Sequence, residues 1–422
     1  MENDKRRVWA WALYDWGNSA FATTVMSGFF PIFFKQYWSQ GVSSTESTFH
    51  LGLVNGLSSL MVVVLAPVLG AIADRGGLRK RFLLGFAFLG ILMTASLSWV
   101  AEGQWLLAAS LFGCGVIGFS GSIVFYDALI VGICREPERE RVSALGYGLG
   151  YLGGGLLFAV NVWMTLSPQT FGLADSAQAV RLSFVLVALW WLLFSVPLIL
   201  FVKEPAPAAA QSSLGAVRGG FRQLRETLAH IRQRRDVFWF LLAYWLYIDA
   251  VDTIIRMAVD YGVALGFDSN SLIVALLITQ FVGFPAALLY GWLGSRIGAK
   301  AGILIAIGVY IAVTFYAFFM ESVEEFYVLA VTVGLVQGGI QALSRAFYSR
   351  LIPPERTGEF FGFYNMLGKF AAVLGPVLVG WVGIMTGSSR YGILSVVLLL
   401  VAGGLLLLRV DGRGGRVVKA EA

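Results

Sequence analysis

The chain has 422 residues, of which 58% are hydrophobic and only 13% are charged. This composition excludes an ordinary soluble globular protein, because apolar segments long enough to cross a hydrocarbon core of ~30 Å recur from end to end. The formal net charge is +6. A basic surface facing a membrane accounts for this charge better than nucleic-acid binding does, so no nucleic-acid partner is expected.

In chain order, the apolar segments predict an all-α membrane protein with twelve transmembrane helices. An even number of spans also suits the distribution of charge described next. The predicted spans are residues 9–35, 51–73, 82–100, 105–133, 142–166, 180–202, 237–259, 272–293, 301–320, 326–348, 360–384 and 391–408.

Basic residues predict the orientation of these spans. If residues 1–7 are a short cytoplasmic tail, 26 of the 31 lysines and arginines lie on the cytoplasmic side. Only Lys35, Arg181 and Arg390 then lie on the outer side. Positive charge collects on the cytoplasmic side of membrane proteins, so both termini are expected there. The N-terminal tail lacks a small-residue cleavage site, and no signal peptide is expected.

Residues that hold metals or carry out covalent catalysis are scarce. Cys114 and Cys134 lack metal-ligand spacing, and His50 and His230 are far apart in the sequence. The phosphate-binding loop of ATP-driven pumps, Gly-x-x-x-x-Gly-Lys-Ser/Thr, does not occur. We therefore expect no metal, no cofactor and no enzymatic activity.

Two loops 221 residues apart read as copies of one motif, each between two apolar segments. Such spacing indicates a duplicated helical bundle, which is a common build of secondary transporters. The first glycine of each copy allows close helix packing, and the second suits a tight turn. The first copy is Gly70-x-x-x-Asp74-Arg75-x-Gly77-x-Arg79-Lys80, and the second is Gly291-x-x-x-Ser295-Arg296-x-Gly298-x-Lys300.

The duplication predicts two halves of six helices each. We place the N-terminal half at residues 1–202 and the C-terminal half at 237–422. Between them, residues 203–236 form a cytoplasmic linker. Within this linker, apolar residues recur at helical spacing from Val217 to Ile231, and six arginines lie from Arg218 to Arg235. They predict a basic amphipathic helix on the inner leaflet, and a solvated connector is the alternative.

Charged residues inside span seven share one helical face. Asp249, Asp252, Arg256 and Asp260 follow at spacings of three, four and four. Charges within hydrocarbon are unfavourable, so they should face a cavity or a partner. Asp249 and Asp252 are therefore candidates for contact with a solute or a coupling ion. The alternative is a structural ladder in which Arg256 neutralises its neighbours.

Three other spans carry polar candidates. Gln337, Gln341 and Arg345 lie on one side of span ten, and Arg345 is either a gate or solute contact or an interfacial anchor. Span one offers Asp15 and Asn18, although Asp15 also suits a helix N-terminus. Span four ends with Tyr126 and Asp127. We expect Asp15 and Asp127 to lie near the cytoplasmic ends of their helices, where they could form an inner gate with Arg345 or with loop cations.

These motifs resemble the major facilitator superfamily, whose signature loop matches residues 70–80. A narrower resemblance is to the "unknown major facilitator" family and its relatives, the autophagy-related vacuolar amino-acid effluxer permeases. It rests on residues 14–21, 124–128, 141–154 and 246–249. The resemblance implies that spans one, four, seven and ten line a central path. It also implies that Asp74 clamps the halves together on the inner side. Tyr151 stands where the superfamily's antiporter motif has proline.

Together these observations predict a secondary transporter for a small polar organic solute, with an amino acid as the best guess from the resemblance. A proton is a candidate coupling ion because carboxylates populate the spans. Membrane lipids are the other expected contacts, and a monomer is expected. The compact loops favour a bacterial cytoplasmic membrane. The alternative is a non-transporting membrane sensor or assembly factor built on a transporter scaffold.

Overall fold

The computed structural model describes residues 5–41, 44–204 and 234–411, and the regular secondary structure in these ranges is entirely helical. This confirms the predicted all-α class. The helices of twelve or more residues are α1 (Lys5–Ala20), α2 (Ser44–Gly76), α3 (Arg79–Ser96), α4 (Trp105–Ile133), α5 (Arg139–Leu166), α6 (Ser176–Phe201), α7 (Arg235–Ala264), α8 (Ser269–Ile297), α9 (Ala299–Phe319), α10 (Val323–Leu351), α11 (Thr357–Thr386) and α12 (Val397–Leu408).

Ten helical segments in the described ranges are long and apolar enough to cross a membrane. The predicted first span falls on α1 and the helical turns after it, and the predicted eleventh span falls on α11. Neither is among the ten, so the total of twelve stays a prediction. Many large apolar side chains, among them Leu106, Trp163 and Ile384, are exposed on the helices. Apolar outer faces of this kind suit a lipid surrounding.

The helical segment after α1 is wider than an α-helix. Phe21–Phe29 and Phe34–Trp38 are π-helical, and a short α-helical turn, Phe30–Phe33, separates them. The amide of Phe30 donates to the carbonyl of Val25, five residues earlier. Such wide turns are uncommon and often occur at functional sites.

The two repeats meet through a pair of matched interfaces. Helix α2 packs against α11, and α5 packs against α8 and α10. Within each repeat, the helix that follows the loop copy also packs in a matching way. Helix α3 packs against α4, and α9 packs against α10. The boundaries at 202 and 237 stay predictions. The amphipathic linker helix falls within 205–233, outside the described residues.

Glycines of the two loop copies occupy equivalent places. A side chain at Gly70 would collide with the backbone of Gly358 on α11, and one at Gly291 would collide with Ala144 on α5. Gly77 and Gly298 have positive φ angles of 59° and 89°, which glycine adopts without strain. The close-packing and turn-forming roles expected of these four positions are therefore the ones that they have in the fold.

Candidate functional site

A cavity of about 340 Å³ lies between the two halves. Its walls come from α1 and the π-helical turns, α4 and α5 on one side, and from α7, α8, α10 and α11 on the other. Its size and polarity suit a small polar molecule. The polar side chains that line it are Asp15, Asn18, Ser19, Thr23, Ser27, Ser120, Tyr147, Tyr151, Thr279, Gln280, Gln337, Gln341 and Asn365.

Four of the residues predicted from the sequence line this cavity: Asp15, Asn18, Gln337 and Gln341. Two hydrogen bonds join the halves across it. Gln280 Nε2 donates to Thr23 Oγ1 at 2.8 Å, and Tyr151 Oη donates to Gln341 Oε1 at 3.2 Å. The π-helical turn thus brings Thr23 to the opposite half. These cross-cavity bonds would have to break for the halves to separate here.

Three side-chain oxygen atoms of residues that line the cavity have no hydrogen-bond partner in the described part of the chain. Asn18 Oδ1, Ser120 Oγ and Gln337 Oε1 are buried and make no hydrogen bond within the described part of the chain. Buried polar groups are normally satisfied by protein, water or ligand. In the state described here, these three atoms are therefore unsatisfied polar groups of residues that line the cavity.

The Asp15 carboxylate connects the cavity to a deeper cluster. Its Oδ1 accepts from Ser19 Oγ at 3.3 Å, and its Oδ2 accepts from Tyr126 Oη at 3.3 Å. In the described part of the chain, hydroxyl groups rather than cations make these contacts. The ring of Tyr126 stacks on Trp11 with centroids 4.3 Å apart. Asp15 is therefore joined through Tyr126 to the residues that surround Arg345.

Arg345 crosses from α10 into a box formed by the N-terminal half. Its Cζ lies 4.9, 5.3 and 4.3 Å from the ring centroids of Trp11, Tyr126 and Tyr147. Its Nη1 donates to Asp127 Oδ1 at 3.0 Å. Its Nε and Nη2 donate to the hydroxyl and carbonyl oxygens of Ser143, each at 2.8 Å. We call these five partners the cation box: Trp11, Tyr126, Asp127, Ser143 and Tyr147.

The pairing of Asp127 and Arg345 decides between two interpretations of Arg345. Both side chains are almost fully buried, with 2% and 1% exposure. An interfacial anchor would extend its charge to the membrane surface, so that interpretation is wrong. Asn365 on α11 donates to the second oxygen of Asp127 at 3.1 Å. Losing one partner of such a pair costs about 3–5 kcal/mol.

Span seven differs from the sequence-based picture. Asp249 is fully buried and accepts from the backbone amide of Gly375 on α11 at 3.0 and 3.1 Å. Pro376 follows Gly375 inside α11, and proline disturbs the helical bonding around it. Asp249 and Asp252 are not among the described residues that line the cavity, and Asp252 is half-buried. The side chains of Arg256 and Asp260 lie outside the described residues.

The first loop copy joins the halves at one end of the bundle. We call this the arginine-rich end, where connections 77–78, 134–138 and 352–356 lie. Asp74 accepts from the amides of Gly358 and Glu359, in the first turn of α11, at 2.8 and 2.9 Å. Arg79 Nε donates to Asp74 at 2.6 Å, and its Nη2 donates to the carbonyl of Glu355 at 3.2 Å. The Arg75 side chain lies outside the described residues.

The second copy makes a weaker link between the halves. Ser295 accepts from Arg141 Nε at 3.2 Å, and Arg296 lies over Trp292 of its own half at 4.2 Å. Lys300 donates to the carbonyls of Leu408 and Val410, at the end of α12. Lys80 donates in the same way to Ile199 and Val202, at the end of α6. Lys300 therefore occupies the structural place of Lys80, although it aligns with Arg79.

Two further links at the arginine-rich end were not foreseen. Arg139 donates to the carbonyl of Ser349 at 2.8 Å, and Arg350 pairs with Glu140 at 2.6 Å. Arg139 ends the first of two Pro-Glu-Arg motifs in the sequence, at 137–139 and 354–356. The aromatic residues Trp11 and Tyr147 were also missed as partners of Arg345, because an aromatic residue in a span normally indicates packing.

Comparison with known proteins places this architecture in a family. The "Vacuole effluxer Atg22 like" family model matches residues 3–50 and 45–420. An uncharacterised transporter of the major facilitator type from Bacillus subtilis, YxiO, is 40% identical over 400 residues, covering 94% of this chain and 93% of YxiO. Autophagy-related protein 22 of Saccharomyces cerevisiae is 25% identical over 504 residues, covering 99% and 93% of the two chains.

Solved structures agree in fold. The human organic anion transporter MFSD10 superposes with a TM-score of 0.73 at 16% identity, covering 96% of this chain and all of that one. The proton:xylose symporter XylE superposes with a TM-score of 0.70 at 14% identity, covering 96% and 94%. The family model and the YxiO relative, together with the apolar spans, make the protein a multi-pass membrane transporter and not an enzyme. It belongs to the Atg22-like effluxer family of the major facilitator superfamily.

Proposed function

We propose that this protein is a secondary transporter that moves a small polar organic solute by alternating access of the cavity between its halves. The observation that carries the proposal is the position of this cavity. Polar side chains from both halves line it, and the buried ion pair of Asp127 and Arg345 lies beside it. A relative rotation of the halves would therefore change the cavity and the pair together.

In this state, the contacts between the halves include many at the arginine-rich end. The clamp of Asp74 on α11, the Arg139 bond to Ser349 and the Arg350 pair with Glu140 all lie there. The charge distribution of the sequence favours the cytoplasm for this end. On that assignment, the state described is closed toward the cytoplasm, and transport requires these links to break.

An amino acid is the proposed solute class, on the resemblance to the vacuolar amino-acid effluxer permeases; the matching family model is described as vacuole effluxer, Atg22-like. Asp15 is the proposed coupling site. It lines the cavity, hydroxyl groups hold it, and Tyr126 connects it to the cation box. A carboxylate in this position can bind a proton or an ammonium group, and either event would change the charge beside Arg345.

A ligand screen followed by a transport assay tests the proposal. Purified protein is first screened by thermal shift against amino acids, short peptides, sugars and nucleosides. The compounds that stabilise it are then followed in proteoliposomes as labelled solutes, by uptake and by counterflow. Counterflow of a stabilising solute supports a transporter. Saturable binding without uptake or counterflow would favour the sensor alternative.

A further inference from the structure

The cation box belongs entirely to the N-terminal half, whereas its occupant belongs to the other half. Its members lie on α1, α4 and α5, and Arg345 lies on α10. When the halves separate at the arginine-rich end, Arg345 moves with α10. The box then loses its charge partner unless another cation enters.

The chemistry of the box selects for a cation. It presents three ring faces, one carboxylate oxygen, one carbonyl oxygen and one hydroxyl to the guanidinium. Ring faces attract ammonium and guanidinium groups, and acceptor oxygens bind their N–H groups. An empty box would leave the Asp127 carboxylate buried without its partner, which is unfavourable.

The box is also next to the cavity. Tyr147 is one of the residues that line the cavity, and it contributes one of the three rings. Asp15 lines the cavity as well, and its carboxylate accepts a hydrogen bond from the hydroxyl of Tyr126, whose ring is another wall of the box. A cationic nitrogen attracted to Asp15 would therefore lie next to Tyr126, whose ring also contacts Arg345.

We infer that the box is a binding site for the cationic nitrogen of the transported solute, an ammonium or a guanidinium group. In the state described here, Arg345 occupies this site. The inference rests on the proposed transport function and gives it a substrate class. The solute's cation and Arg345 compete for one site. Binding of the solute then favours release of Arg345, and thereby the opening of the arginine-rich end.

A binding experiment tests the box without requiring transport. Purified Arg345→Ala protein is titrated with methylguanidinium, using methylurea as the uncharged probe of similar shape. We expect saturable thermal stabilisation by methylguanidinium alone. It should be lost in Arg345→Ala/Asp127→Asn and absent from the wild type at the same concentrations. Arg181→Ala is the matched control, since Arg181 binds the carbonyl of Ser98 away from the box. Equal effects of both probes, or no saturable effect, would overturn the inference.

A transport experiment on the wild type keeps the inference testable if Arg345→Ala does not fold. Proteoliposomes are assayed with leucine, its 2-hydroxy analogue, agmatine and sorbitol, together with each solute found by the screen. Every transported solute should carry a cationic nitrogen, and replacing that nitrogen by hydroxyl should lower kcat/KM by at least about tenfold. Comparable transport of solutes that lack a cationic nitrogen would overturn the inference and leave the transporter proposal standing. Methylguanidinium binding without transport of any solute would instead overturn the transport function.

Discussion

The Asp74 carboxylate of the N-terminal half lies across the first turn of α11, with Oδ2 2.9 Å from the amide nitrogen of Glu359. The first amides of a helix have no partner within that helix, and a carboxylate there also meets the positive end of the helix dipole. One side chain thus serves as the cap of a helix in the opposite half. The cap exists only while the two halves are closed at this end.

This relationship gives the first prediction. Asp74→Ala should reduce transport strongly and leave solute binding measurable, because the substitution removes a contact between the halves away from the cavity. The solute identified by the screen is followed by thermal shift for binding and by counterflow for transport. Asp175→Ala is a matched control, since Asp175 caps its own helix through the amide of Gln178. Joint loss of binding and transport in folded protein would mean that Asp74 has another role.

The second prediction concerns the buried pair of Asp127 and Arg345. Asp127→Asn or Arg345→Gln alone should each destabilise the protein by about 3–5 kcal/mol, because each leaves one buried charge without its partner. The double variant should be less destabilised than the sum of the two. Equilibrium unfolding in detergent measures the three free energies. Additive effects would show that the two side chains do not stabilise each other.

The third prediction concerns Asp249. Asp249→Ala should destabilise the protein by about 1–3 kcal/mol, because the amide of Gly375 would lose its acceptor in a buried place. Asp249→Asn keeps one acceptor oxygen and should be milder. Unfolding of both variants provides the comparison. Equal stability of Asp249→Ala and the wild type would remove the structural role, and the direct solute contact suggested by the sequence would then regain weight.

The fourth prediction tests the close approach of α2 and α11. Gly70→Ala should destabilise the protein by about 1–3 kcal/mol, because the added methyl group meets the backbone of Gly358. Gly85→Ala on α3 is the matched control: beyond its own helix backbone and chain neighbours, no described atom lies within 4 Å of its added methyl group. Compared with glycine, alanine also stabilises a helix by up to about 1 kcal/mol, in both variants. A stable Gly70→Ala protein would mean that the two helices separate easily at this point.

Much of the fold could be predicted because membrane insertion leaves a strong signal in the sequence. Apolar length predicted the helices, and the repeated loop predicted the matched packing of Gly70 and Gly291. The number of membrane-spanning helices is harder to predict near Phe21–Phe29. The helix is π-helical there, and hydropathy does not distinguish π from α turns. The roles within the repeat were harder still. When the two loop copies are aligned, Lys300 pairs with Arg79. The contacts of Lys300, however, match those of Lys80.

Some residues of the site could be identified from the sequence and others could not, for a physical reason. A charge in a membrane span needs a partner, so Asp127 and Arg345 could be identified singly, and their pairing was one of the arrangements considered. The partner that a charge finds depends on helix rotation and distance, which the sequence does not contain. Asp249 was therefore expected to face the cavity, but it binds the backbone beside Pro376. Trp11 and Tyr147 gave no signal, because ring faces that hold a cation look like ordinary packing.

In the proposed transport cycle, solute passes through the cavity lined by Asp15 and Gln337. A single cysteine at Ser19 tests it most directly, in a Cys114→Ser, Cys134→Ala background, with solute counterflow measured in proteoliposomes. We expect the background protein to transport solute. A charged thiol reagent should stop transport only in the Ser19→Cys variant, and excess solute should slow this inactivation. Full counterflow after complete modification of the cysteine at position 19 would contradict the claim.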